Sequence, residues 1–198
     1  MEEGRITFFP AFAAKVGLRF GPFKGVSVTL DAAYAMANDW LMPVYGLPYD
    51  AGLTYYGVDL RSWKAGGEIR WEYGTIVEAG VGFHTLLGNS LEDAWMEWRD
   101  RERSRLEAAV TVRPISRLTI DLGYTLAMKR KMSYISGGET FDLPLGDKSN
   151  LSAGASYRFT DAFTVFARGE NLLNEKNMIT PELPGIGVTG LIGVGFKF

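Results

Sequence analysis

Residues 118–129 read Leu118-Thr119-Ile120-Asp121-Leu122-Gly123-Tyr124-Thr125-Leu126-Ala127-Met128-Lys129. Leu118, Ile120, Leu122, Tyr124, Leu126 and Met128 recur at every second position, with polar or small residues between them. Successive side chains of a strand point to opposite faces, so this stretch predicts a strand with one apolar side. A helix would place its apolar residues three and four apart, and this segment does not.

Working outward, the same period-two pattern recurs over 12–20, 26–36, 62–73, 77–84, 105–113, 151–159, 163–168 and 188–198. The connections sort into two kinds. Gly21–Lys24, Gly74-Thr75, Pro114–Arg117 and Thr160–Ala162 read as tight turns. Residues 38–58, 88–101, 131–148 and 174–186 read as long loops. Short and long alternate strictly along the chain. A transmembrane barrel does this because its strands hairpin tightly on the periplasmic side and carry longer loops outside. The expected fold is therefore all-β: an antiparallel, up-and-down transmembrane β-barrel of about nine to ten strands, one domain over residues 1–198.

Composition agrees with this and removes other classes. The balance of 21 basic against 23 acidic residues gives no basic footprint for nucleic acid. Cysteine is absent, which removes disulfides, thiolate metal sites and cysteine nucleophiles together. The 24 glycines and 13% aromatics suit short, tightly packed strands with aromatic belts at the membrane interface. No apolar run approaches the roughly 18–20 residues of a membrane-spanning helix. Met1-Glu2-Glu3-Gly4 does not resemble the basic start of a signal peptide, so none is expected within these residues.

Periodicity alone does not say which face of the sheet is outside. The face opposite the apolar one carries Lys15, Arg19, Asp31, Lys64, Glu68, Arg70, Glu72, Glu78, Arg105, Glu107 and Asp121, among other charges. A soluble ligand-carrying barrel would point the apolar face inward. Aromatics at the ends of the apolar faces, as in Trp71-x-Tyr73, Tyr157-x-Phe159 and Phe196-x-Phe198, favour lipid outside.

The C-terminal stretch adds a resemblance. Ala155–Thr160, then Phe163-Thr164-Val165-Phe166-Ala167-Arg168-Gly169-Glu170-Asn171-Leu172-Leu173-Asn174, then Pro184-Gly185, and a last strand closing on Phe198, resemble the end of a TonB-dependent outer-membrane receptor. The resemblance is specific over 151–198 and architectural elsewhere. It implies a bacterial outer-membrane barrel taking part in energised uptake of a scarce ligand. It also implies that Val194, Phe196 and Phe198 form the signal read by the barrel-assembly machinery. Lipid and lipopolysaccharide would be further partners, and TonB would act only through a plug domain that these residues do not resemble. Ile186 directly follows Pro184-Gly185 where the family commonly has an arginine nearby.

With Phe198 on the periplasmic side, counting strands backwards makes 12–20 descend from outside. A complete bacterial barrel has an even strand number. Either Arg5–Phe9 adds a short tenth strand turning at Pro10, or the chain is the C-terminal portion of a larger barrel, which is the favoured expectation. The alternative is a small stand-alone barrel acting as a structural anchor, adhesin or narrow pore.

Chemistry-bearing residues are sparse, and no enzyme or cofactor is expected. His84, the one histidine, would need a serine such as Ser62 or Ser104 to act as a hydrolase base, and no motif fixes one. Glu68 and Glu72 share a face with Lys64 and Arg70, a pattern of ion pairs more than of a catalytic carboxylate pair. Gly80-x-Gly82 and Gly193-x-Gly195 precede no helix, so a phosphate loop is not supported. Asp93, Glu97 and Asp100 match no calcium spacing. The outer loops concentrate aromatics instead. Trp40, Tyr45, Tyr49, Tyr55 and Tyr56 fall in the first, Trp95 and Trp98 in the second, Tyr134 and Phe141 in the third. These are the candidate ligand-contacting residues.

Overall fold

The computed structural model describes residues 11–44, 54–89, 102–136, 139–180 and 183–197. Its strands are β1 (Ala11–Phe23), β2 (Val26–Val44), β3 (Thr54–Tyr73), β4 (Val77–Asn89), β5 (Ser104–Ile115), β6 (Leu118–Met128) and β7 (Lys131–Ser136). They continue as β8 (Glu139–Pro144), β9 (Lys148–Arg158), β10 (Phe163–Glu170), β11 (Met178–Thr180), β12 (Leu183–Pro184) and β13 (Thr189–Phe196). Nine of them form one sheet in the order β1-β2-β3-β4-β5-β6-β9-β10-β13. Each neighbouring pair is antiparallel. β7 with β8, and β11 with β12, make two separate hairpins.

The turns at one end of the sheet are short. Lys24 (φ 49°) and Gly25 (φ 81°) form a two-residue turn with positive φ at both positions, the geometry whose twist matches antiparallel strands. Gly25 is also required by space, because a Cβ there would run into the Glu72 carbonyl oxygen, which belongs to β3. The tight turn expected at Gly21–Lys24 thus sits at Lys24-Gly25, and a register shift between Phe20 and Phe23 absorbs the extra residues. After β9, Thr160 Oγ1 accepts the amides of Ala162 (3.3 Å) and Phe163 (3.0 Å) and folds the chain back into β10.

At the other end the ladders run further than the alternation indicated. Residues 38–44 and 54–58, read as loop, extend β2 and β3, with Trp40 paired to Val58 and Val44 to Thr54. A register shift between Ala37 and Trp40 breaks the alternation there, which is why the pattern stopped early. Residues 131–144, also read as loop, pair as the β7–β8 hairpin, with Tyr134 opposite Phe141.

Both faces of the sheet are open. The chain exposes 14347 Å², against roughly 9,300 Å² for a compact protein of its mass. Leu18, Leu30, Ile69, Val81, Phe83, Leu122 and Val194 all stand exposed on the apolar side. Register places Leu18, Leu30, Gly67, Phe83, Leu106 and Leu126 in one row across six strands. Each large apolar side chain left in water forgoes about 1.5–3 kcal/mol of burial, and an exposed apolar face this wide marks an interaction surface.

The two edge strands, β1 and β13, run in the same direction, since an odd number of antiparallel strands separates into equal ends. Among the described residues neither edge has an outer partner, and the sheet is not closed.

Candidate functional site

The polar face is built in rows. Asp31, Gly66, His84 and Arg105 occupy one row on β2, β3, β4 and β5. His84 Nε2 lies 3.3 Å from Asp31 Oδ1, and Lys15 Nζ approaches Asp31 Oδ2 at 3.9 Å from β1. Arg105 is held on its own strand side by Glu102 (2.6 Å) and Glu107 (3.4 Å). Nearer the short turns, Arg70 binds Glu68 (2.9 Å) and approaches Glu78 (3.7 Å), which Arg113 approaches from β5 at 3.8 Å. Thr111 donates to Asp121 at 2.7 Å across the β5–β6 ladder. Lys15–Asp31, Arg70–Glu78, Arg113–Glu78 and Thr111–Asp121 link neighbouring strands, whereas Arg70–Glu68 and the pairs of Arg105 are local, and each is worth little alone.

The catalytic alternatives weighed from sequence do not assemble. Ser104 pairs with Thr85, its Oγ 2.9 Å from Thr85 Oγ1, on the face opposite His84. Ser62 pairs with Asn89, four β3 positions from the row of His84, or roughly 13 Å along the strand. The Glu68 and Glu72 carboxylates are separated by Arg70 on the same face, and Glu68 is occupied by its guanidinium. Gly80 and Gly82 lie in the middle of β4 beside the Glu68 side chain. Gly193 lies beneath the Phe166 ring. Asp93, Glu97 and Asp100 fall outside the described residues.

Of the candidate loop aromatics, Trp40, Tyr55 and Tyr56 belong to the β2–β3 ladder and Tyr134 to β7, so these four are strand positions and not loop positions. Tyr45, Tyr49, Trp95 and Trp98 lie outside the described residues, as does Phe198. Val194 and Phe196 lie on the apolar face of β13, and the Phe196 ring stacks on Phe163 at 5.0 Å.

Aromatic rings bound that apolar face at both ends. Phe12, Tyr34 and Trp63 gather at the long-loop end, with Tyr34 and Trp63 4.3 Å apart. Trp71 and Tyr73 stack at the short-turn end. There Tyr157, Phe159, Phe163 and Phe196 form a continuous run with centroids 4.7, 5.6 and 5.0 Å apart. Trp63 and Tyr73 are ten residues apart on β3, roughly 33 Å along the strand, or roughly 25 Å in height at the usual barrel tilt. That height equals the apolar band of an outer-membrane barrel.

Sequence reasoning missed one packed corner, where the long connections after β6 and β10 meet. Asn171 (7% exposed, φ 51°) donates through Nδ2 to the carbonyls of Glu175 and Ile186, both at 3.0 Å. Its Oδ1 accepts the Glu175 amide at 3.0 Å, and its own amide donates to Asn150 Oδ1 at 2.7 Å. The Glu170-Asn171-Leu172 segment that carried the resemblance is thus a structural clasp for the 171–188 connection.

No family model and no curated protein matches the sequence. Solved structures do. The siderophore receptor PirA from Acinetobacter baumannii superposes with a TM-score of 0.72 at 11% identity, over 95% of this chain and 32% of that one. A mutant of the ferric enterobactin receptor PfeA from Pseudomonas aeruginosa gives 0.71 at 12% identity, over 95% and 31%. The copper transporter OprC gives 0.70 at 13%, over the same shares. The chain has the fold of the barrel portion of a TonB-dependent receptor. It spans about a third of the length of these receptor structures.

Proposed function

We propose that this chain is part of the wall of an outer-membrane receptor barrel that takes up a scarce ligand. The observation that carries the reading is the exposed apolar face bounded by two aromatic belts at the height of a bilayer's apolar band. Lipid covers that face, and the charged face looks into the barrel. The long connections lie outside the cell, where lipopolysaccharide and the ligand would meet them. The Val194–Phe198 segment is offered to the barrel-assembly machinery. Energy comes from TonB through a plug domain supplied elsewhere in the protein.

The receptor likenesses, and the outer edges of β1 and β13 that stand unpaired among the described residues, favour a segment of a large barrel over a small complete one. A small barrel closed by antiparallel pairing would need one more strand between β1 and β13, and residues 5–9 lie outside the described residues.

Two measurements test the reading. Protein in which Trp40, Trp95 and Trp98 are replaced by phenylalanine, leaving Trp63 and Trp71 as the fluorophores of this chain, should show strong quenching in vesicles of brominated lipid. Quenching by aqueous iodide instead would overturn the lipid-facing assignment. For uptake, deletion of the reading frame carrying this chain should abolish accumulation of one ferric siderophore or metal chelate among a panel. Unchanged accumulation of every panel member, in cells lacking other receptors for them, would overturn the receptor role.

A further inference from the structure

Among the described residues, burial is concentrated at a single place. Ser27 and Gly82 apart, the buried residues are Ala127, Arg130, Leu145, Asn171 and Asn177, all at the junction of β6, β9 and β10. This is the base from which the β7–β8 and β11–β12 hairpins rise. A sheet that is otherwise a single layer has built a small polar core here.

Three side chains hold it. Arg130, 2% exposed, precedes β7 and donates through Nη2 to the Met178 carbonyl, the first residue of β11, at 2.6 Å. Its own carbonyl accepts the Leu145 amide at 3.1 Å, closing the base of the β7–β8 hairpin. Asn177, 9% exposed, treats Ser149 of β9 as a strand partner would: Oδ1 accepts its amide at 2.9 Å and Nδ2 donates to its carbonyl at 2.7 Å. The Asn177 carbonyl then accepts the Gly185 amide at 2.7 Å, closing the β11–β12 hairpin behind it. Asn171 fastens the remainder of that connection to β9.

We propose that Arg130 and Asn177 are positioning residues that join the β7–β8 and β11–β12 hairpins into one rigid extracellular wall. The physical reason is the cost of separation. Swinging the β11–β12 hairpin away would leave a buried guanidinium facing a carbonyl that has gone, and a buried amide without its two backbone partners. Partial opening leaves these groups unpaired in a low-dielectric site, which favours the hairpins staying together or coming apart as a unit. A contact made at one hairpin is therefore transmitted to the other. The extracellular sense of "wall" rests on the membrane orientation proposed above, whereas the coupling itself does not.

The absence of cysteine makes the test clean. Spin labels at Ser133→Cys and Thr180→Cys report the distance between the hairpins by pulsed electron resonance on the full-length detergent-solubilised protein, with any cysteine outside these residues replaced by serine and without any ligand. The expected result is one narrow distance distribution, at least doubled in width by Arg130→Gln, with an unchanged β-type circular dichroism spectrum. If Arg130→Gln loses that spectrum, Asn177→Ala, which leaves the guanidinium in place, is read by the same criterion. A broad distribution in the parent protein, or a variant as narrow as the parent, overturns the proposal. Failure of the uptake reading would leave this measurement unaffected.

Discussion

His84 reaches Asp31 across the bare backbone of Gly66: the imidazole on β4 and the carboxylate on β2 stand 3.3 Å apart with β3 between them. A Cβ on Gly66 would fall on the imidazole ring, so the contact exists only because position 66 has no side chain.

Gly66→Ala should therefore turn the His84 ring out of the row and break its contact with Asp31. Because the pair is half-exposed, the stability change should stay below about 1 kcal/mol. The sensitive readout is the His84 ring resonance, which should move to where Asp31→Asn puts it. A ring resonance identical to that of the parent would show that the ring never lay over Gly66.

Asn171→Ala removes three side-chain hydrogen bonds from a buried site and places alanine at φ 51°. The expected loss is about 2–4 kcal/mol in urea unfolding. Asn171→Gly loses the same bonds but accepts the backbone, so it should be about 1 kcal/mol less costly. Equal losses in the two variants would mean that the left-handed backbone contributes nothing.

Leu30→Arg tests which medium touches the apolar face. Leu30 pairs with Gly67, midway between the Trp63 and Trp71 levels, and is 49% exposed. At the centre of a bilayer, arginine costs about 2–4 kcal/mol. On a water-facing surface the change would stay within about 0.5 kcal/mol. Unfolding in lipid vesicles separates the two.

Phe196→Ala removes the last ring of the run Tyr157–Phe159–Phe163–Phe196. Loss of the stacked contact with Phe163 should cost about 0.5–1.5 kcal/mol beyond the area exposed. Insertion catalysed by the assembly machinery should slow as well, read as a delayed gain of protease resistance. Phe163→Ala should match it in stability but not in the insertion delay, because Phe163 lies outside the terminal signal.

How much of this was legible in the sequence follows from what period-two alternation can see. Leu118–Lys129 declares its strand because every large apolar residue falls on one face, and the same holds from Phe12 to Phe20 and from Ser62 to Tyr73. The alternation of short turns and long connections gave strand order as well, since antiparallel neighbours need nothing else. It failed where the ladder continues through a register shift, as between Ala37 and Trp40, because one extra residue inverts the pattern. The β7–β8 hairpin went unseen for a related reason: Ser133, Ile135 and Ser136 do not alternate cleanly. The buried corner was invisible on principle. Arg130, Asn171 and Asn177 are residue types that normally mark solvent, and the side-chain partners that accompany their burial lie up to 48 residues away in sequence, 28 for Asn177 and 15 for Asn171. The resemblance located Asn171 without saying what it does.

Several glycines of the polar face lie where neighbouring strands send long side chains flat along the wall. His84 lies over Gly66, Glu68 lies beside Gly80 and Gly82, and Phe166 lies over Gly193. At Gly66 and Gly193, bulk carried by one strand thus occupies the space that its neighbour leaves empty. Substitutions on this face should then be tolerated as exchanges between facing positions: enlarging one member calls for shrinking its neighbour. A survey of variants that sampled positions singly would report Gly66 and Gly193 as intolerant and Gly80 and Gly82 as accepting alanine, while one that sampled facing pairs would recover stability at the first two.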